Sequence, residues 1–227
     1  MPLVQHGARQ IQFKVVYYGP GLGGKTTNLE IIHRRSAPRS RGKLVSMNTE
    51  GERTLFFDLL PVELGRFKDY RVRTHLCTVP GQIAFDATRR TILRNVDGIV
   101  FVVDSQPGRL DDNITSLRNL ERNLILQGDD PSRMPLVVQY NKRDLPGVMS
   151  VAALREALAV PPGCVEVEAI ASRGVGEVVA SKSLQFPRGS RVLALLPWST
   201  FSVHLAPQTM EDASRSTSSL RSFAMVP

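Results

Sequence analysis

Two short runs carry side-chain types at spacings that could do chemistry. The first, Gly19-Pro20-Gly21-Leu22-Gly23-Gly24-Lys25-Thr26, fits the pattern G-x-x-x-x-G-K-S/T. Glycines let backbone N–H groups converge on phosphate oxygens without Cβ clashes. A helix opening at the end of such a loop adds its partial positive charge. Lys25 would reach the outer phosphates, and the Thr26 hydroxyl would ligate Mg²⁺. Gly19, Gly21, Gly23, Gly24, Lys25, Thr26 and the adjoining Thr27 are therefore candidate phosphate-binding residues. The second run is Asn141-Lys142-Arg143-Asp144. A carboxylate in the plane of a base accepts two hydrogen bonds from guanine N1–H and N2–H₂. Adenine offers no such donor pair, so Asp144 would reject it by leaving a buried charge unpaired.

Both runs need elements that hold them in place. Residues 11–18 are β-branched and aromatic and predict a strand ending at Gly19, and residues 26–35 predict a helix ending before Pro38. Residues 54–60 and 70–79 predict two strands with Gly65 near the turn between them. The unbroken apolar run 98–104 suits a strand covered on both faces. Leu110, Ile114, Leu117, Leu120 and Leu124 recur at helical spacing. Residues 136–140 predict a strand that delivers Asn141 to a sheet's carboxyl edge, where an open α/β sheet binds its ligand. A short helix over 151–158 and a strand over 165–170 follow. Alternating strands and helices imply a doubly wound α/β sheet, with one antiparallel edge hairpin where no helix intervenes.

The composition sets limits. The chain has 227 residues, 42% of them hydrophobic and 22% charged, enough to bury a core. No apolar run approaches the roughly 18 residues of a bilayer span. No secretory signal or lipidation box is legible, so a cytoplasmic protein without an intrinsic membrane anchor is expected. Two cysteines, Cys77 and Cys164, cannot build a disulfide framework or a four-ligand zinc site, and Cys77 reads as core. The four histidines share no ligand spacing. The net charge of +8 concentrates in Arg34, Arg35, Arg39, Arg41 and Lys43 and later in Arg89, Arg90 and Arg94. No nucleic-acid-binding motif accompanies these groups, so they read as solvated faces that attract polyphosphates or acidic partners.

At this point the sequence resembles the Ras-like small GTPases and, within them, the bacterial MglA-type gliding and polarity GTPases. The resemblance is carried by residues 16–22, 53–58, Thr78-Val79-Pro80-Gly81-Gln82, 98–105 and 140–146, and runs from about Ile11 to about Val178. It implies a Ras-like fold of about six strands and five helices, with helices on both faces of a mostly parallel sheet. It implies GTP/GDP and Mg²⁺ as ligands and GTP hydrolysis as the reaction, in a two-state switch. Thr54 becomes the switch threonine that joins Mg²⁺, Gly81 the donor to the γ-phosphate and Gln82 the residue that orients the attacking water. Arg53 becomes an arginine finger supplied in cis, a role commonly worth about 10³–10⁵ in rate. Ala171 and Ser172 occupy the slot that backs the guanine base, and match it loosely. The implied partners are a roadblock-type (MglB-like) activating protein and effectors of polarity or motility, with recruitment to cell poles.

Two departures stand out. Most small GTPases carry Asp-x-x-Gly in the second switch, the Asp holding a Mg²⁺-bound water. Here Thr78 stands in that place, as in the MglA-type proteins. Asp58, one strand over, is either a substitute or a solvent-facing edge residue, and Asp104 reads as a loop-stabilising structural acid in preference to a Mg²⁺-holding one. The second departure is the tail. The expected domains are an extension over 1–10, a GTPase domain over 11–178 and an atypical, loosely ordered tail over 179–227. The family's long C-terminal helix starts at Glu177-Val178 and then loses its pattern at Pro187 and Gly189. A reading-frame change or a lineage-specific tail would each explain this, with residues 193–198 as substitute cover for the sheet. If the missing helix weakens the fold, the chain becomes a nucleotide-binding module with little turnover. A P-loop ATPase or kinase is a further alternative, opposed by Asn141-Lys142-Arg143-Asp144.

Overall fold

A computed structural model describes residues 2–47, 57–81, 85–173, 175–180 and 191–193. The strands among them are β1 (Leu3–Gln5), β2 (Gln10–Tyr18), β3 (Val45–Met47), β4 (Phe57–Phe67), β5 (Tyr70–Thr78), β6 (Gly98–Asp104), β7 (Leu136–Asn141), β8 (Val165–Ile170), β9 (Val175–Ala180) and β10 (Arg191–Leu193). The α-helices are α1 (Lys25–Arg35), α2 (Asp86–Leu93), α3 (Leu110–Leu126) and α4 (Val151–Ala157).

All ten strands join one sheet in the order β10-β9-β8-β7-β6-β2-β5-β4-β3, with β1 antiparallel on β2. The centre, β8-β7-β6-β2-β5, is parallel. Strand order reverses direction at β2, which pairs with β5 on one side and β6 on the other. That is the switch point at which open α/β sheets form a crevice beyond their carboxyl ends. The phosphate loop leaves β2 at this point.

Side chains alternate across the sheet because a strand has a period of two. Val16, Tyr18, Ile99, Phe101 and Val103 face one way and pack with Leu93 of α2, Leu120 and Leu124 of α3 and Leu154 of α4. Val15, Tyr17, Val100 and Val102 face the other way and pack with Leu29 and Ile32 of α1. Each such large aliphatic side chain contributes about 1.5–3 kcal/mol when fully buried. Cys77 is buried in the first cluster, as expected.

The Ras-like α/β architecture stands, and several details differ from the sequence expectation. Among the described residues the sheet has ten strands rather than the six expected, and it extends antiparallel at both ends. Gly65, expected near the turn between β4 and β5, sits at a bulge within β4 with φ 101, and the strands turn through residues 68–69. Residues 3–5 of the expected extension form β1. The expected fifth helix does not start at Glu177-Val178: both residues lie in β9, antiparallel to β8. Val175, Val178 and Val179 are β-branched, and the edge of β8 offers a row of unpaired backbone groups. Together these favour an added strand where the helical pattern fails. Leu193 pairs with Val175 in β10, and residues 194–198 of the expected substitute cover lie outside the described residues.

Candidate functional site

The phosphate loop is built around two glycines that no other residue could replace. Gly19 has φ 143, and a Cβ there would run into the carbonyl oxygen of Val102 on β6. Gly24 has φ 100, caps α1, and would place a Cβ on the side-chain nitrogen of Asn141. The first turn of α1 carries no acidic residue, which leaves its N-terminal field open to an anion. Lys25 is buried and donates from Nζ to the carbonyls of Gly19 at 3.0 Å and Pro20 at 2.6 Å. Burial, reinforced by Arg89 and Arg109 and opposed by Asp58, pulls its ammonium down to about 7. A phosphate chain alongside would restore the charge.

Asn141 joins three segments. Its Nδ2 donates to the Gly23 carbonyl at 2.8 Å, and its Oδ1 accepts from the Ala171 amide at 2.9 Å. The phosphate loop, the end of β7 and the turn after β8 are thereby fixed to one side chain. Lys142 donates to Asp104 Oδ2 at 2.7 Å, and Asp104 is fully buried at the end of β6. Asp104 is thus a structural acid, as the sequence suggested. Asp144 and Ser172 are exposed on the same loops, open to a ligand, and Ala171 is buried. Arg143 is used structurally, donating to Glu168 at 2.8 Å and to the Met149 carbonyl at 2.6 Å.

On the other side of the phosphate loop lies a cleft of about 530 Å³. Its lining includes Gly21, Leu22, Gly24, Lys25, Thr26, Thr27, Asp58, Thr78 and Gly81. Asp58 resolves the alternative left open by the sequence: it does not face solvent. It is buried, and its Oδ2 accepts from Thr26 Oγ1 at 2.7 Å and from Thr78 Oγ1 at 2.9 Å. Its Oδ1 accepts from Ser46 Oγ at 2.7 Å, and its own amide donates to Thr78 Oγ1 at 2.8 Å. A carboxylate with hydroxyls at the phosphate end is a set of hard oxygen donors of the kind Mg²⁺ prefers. Among the described residues no group of three or more His, Cys, Asp and Glu forms a self-sufficient metal cage.

Gly81 lies against Gly21, so close that a Cβ on it would collide with the Gly21 backbone. Arg89 of α2 fixes this approach. The sequence reading placed Arg89 on a solvated basic face, and the structure buries it. It donates to the carbonyls of Pro80 and Gly81, both at 2.9 Å, and to Asn119 Oδ1 at 2.8 Å. Helical spacing gives the signal in retrospect, since Arg89 shares a face with Ile92 and Leu93 of the core rather than with Arg90. Arg53, Thr54 and Gln82 lie outside the described residues.

A glycine cradle on β2, a lysine folded over it and an asparagine tying it to a base-reading loop define a Ras-like nucleotide hydrolase. Comparison with known proteins agrees. Residues 61–178 match the model of the ADP-ribosylation factor family. The chain is 50% identical over 179 residues to the mutual gliding-motility protein MglA of Myxococcus xanthus, covering 78% of this chain and 90% of that protein. It is also 36% identical over 83 residues to ADP-ribosylation factor-like protein 4D of Mus musculus, covering 36% of this chain and 39% of that protein. The chain belongs to the ADP-ribosylation factor family of Ras-like small GTPases. It is accordingly a GTP hydrolase that binds GTP and GDP.

Proposed function

We propose that this chain is a GTP/GDP switch for cell polarity or gliding motility, with Mg²⁺ at the phosphates. The observation that carries the reading is the Asn141 side chain, which ties the phosphate loop to the base-reading loop. Its similarity to a gliding-motility protein supports the biological setting.

In this reading the amides of Gly21, Gly23 and Gly24 and the ammonium of Lys25 hold the phosphate chain, with Thr27 beside them. Asp144 reads the guanine, Lys142 flanks it, and Ala171 and Ser172 back it. Thr26 and Asp58 hold Mg²⁺, with Thr54 added in the triphosphate state. The ion supplies charge neutralisation at the phosphates. Gly81 donates to the γ-phosphate, Gln82 orients water, and Arg53 offsets charge that develops on the leaving phosphate. Triphosphate would order the segments around Thr54 and Gln82 for partners to read, and hydrolysis would release them. A roadblock-type (MglB-like) activator then acts by reshaping the Arg53–Thr54 segment, because the arginine is already in cis. No described helix is long and apolar enough to cross a membrane, and we place the protein in the cytoplasm with recruitment to the poles.

The test is direct. The purified chain is denatured and its released nucleotide identified by ion-exchange chromatography. Near-stoichiometric GDP or GTP is expected, and absence of nucleotide would count against the reading. Arg53→Ala and Gln82→Leu should each lower single-turnover hydrolysis at least about tenfold with nucleotide affinity retained. Unchanged turnover would remove those two roles. The alternative of a binding module without turnover rests on the departure in the tail, and the family membership does not favour it.

A further inference from the structure

The peptide between Gly21 and Leu22 poses a problem of its own. Leu22 has φ 62, in the left-handed region that a branched side chain resists. Its side chain is 88% exposed, so packing does not hold it there. Something else must fix this peptide. Arg109, in the turn Pro107–Arg109 just before α3, donates from Nη2 to the Gly21 carbonyl at 2.6 Å. The guanidinium is itself held on two sides. Nη1 pairs with Asp112 at 2.5 Å, and Nε lies 3.7 Å from Oδ2 of buried Asp104. The same Asp104 oxygen takes the Lys142 ammonium. Arg109 is therefore fastened to the base-reading side of the site while gripping the phosphate loop.

A trans peptide is planar, and its C=O and N–H point in opposite directions. With the Gly21 oxygen turned to Arg109, the Leu22 N–H is turned away from it. Gly21 and Leu22 both line the phosphate cleft. A cation on the carbonyl also polarises the amide, making its N–H a stronger donor.

We infer that Arg109 is a positioning residue: it holds the Gly21–Leu22 peptide so that the Leu22 N–H faces the phosphate chain of a bound guanine nucleotide. The inference deepens the proposed function and rests on it. It needs no contact between Arg109 and the nucleotide. Arg89 offers the same arrangement on the opposite wall, with its guanidinium on the Pro80 carbonyl and the Gly81 N–H beyond.

The test compares wild type with Arg109→Ala, Arg109→Met and Arg109→Lys. Arg109→Met keeps the aliphatic stem and so guards against a loss of folding. Two readouts are taken: the ³¹P resonances of bound GDP, and single-turnover GTP hydrolysis set against GDP affinity. Removing one preorganised donor costs about 10²–10³ in rate, so loosening one should cost about tenfold. Expected are a displaced phosphate resonance and a roughly tenfold slower turnover in the Ala and Met variants, with affinity changing less than turnover. Arg109→Lys should recover part of both, because it still donates to the carbonyl. Unchanged ³¹P shifts and unchanged turnover in a folded Arg109→Met protein would overturn the inference. A wild-type chain that carries no guanine nucleotide would instead overturn the proposed function on which it stands.

Discussion

The two ends of the nucleotide cleft are built by different rules. At the proposed base-reading end, Asn141, Lys142 and Ala171 come from short runs, and their bonds stay among the phosphate loop and the carboxyl ends of β6, β7 and β8. At the proposed metal end, the carboxylate comes from β4, the hydroxyls from α1, β3 and β5, and no contiguous run contains them. The first end can be found by reading a short string. The second exists only because antiparallel pairing of β4 with β5 places Asp58 beside Thr78, where other small GTPases have an acid on β5 itself.

The difference can be broken from either side. The largest effect is expected at the base-reading end. Asp144→Ala should weaken GTP binding at least about a thousandfold and erase discrimination against ATP, while Mg²⁺ dependence stays. Competition binding with both nucleotides checks this. At the metal end, Asp58→Ala should lower Mg²⁺-dependent nucleotide affinity by about 10–100-fold. Its discrimination between GTP and ATP should stay, and chelating Mg²⁺ should no longer accelerate GDP release. If chelation still accelerates release as in wild type, Asp58 does not support the ion.

A third effect joins the two ends through Lys25. Its ammonium is pulled down to about 7 in the open cleft, first by burial and then by Arg89 and Arg109. Bound phosphates favour the charged form, so binding takes up a proton above that pH. Affinity should therefore fall as pH rises from 7, by at most about tenfold per unit. Below 7 the lysine is already charged and the slope should vanish. Calorimetry of GDP binding in buffers of different ionisation enthalpy measures the proton uptake. The smallest effect is Thr78→Ala. It removes two hydrogen bonds with Asp58, each worth about 1 kcal/mol, and should reduce Mg²⁺-dependent affinity less than Asp58→Ala does. A loss as large as that of Asp58→Ala would place the key donor on β5 after all.

The central elements were legible because their signals are local. The apolar run of β6, the helical spacing of α3 and the strands β2, β7 and β8 are each visible within a few residues. Arg89 was misread because charge alone says nothing of burial, and its partners Pro80, Gly81 and Asn119 lie on other elements. The C-terminal edge was misread because Glu177-Val178 fits a helix start as well as a strand. The open edge of β8 favours the strand.

The sequence by itself determined the class of ligand and the loop that holds it. Glycines at 19 and 24, a lysine at 25 and the run 141–144 restrict backbone and hydrogen-bonding choices so tightly that few other structures satisfy them. Tertiary structure alone decided which acid stands beside Thr26 and which arginines bond to the carbonyls of Gly21, Pro80 and Gly81. Those roles depend on strand register and on distances between segments far apart in the chain. Asp58 and Arg109 have no distinctive neighbours in the sequence, and they acquire their partners only when the sheet is paired and α3 docks against it.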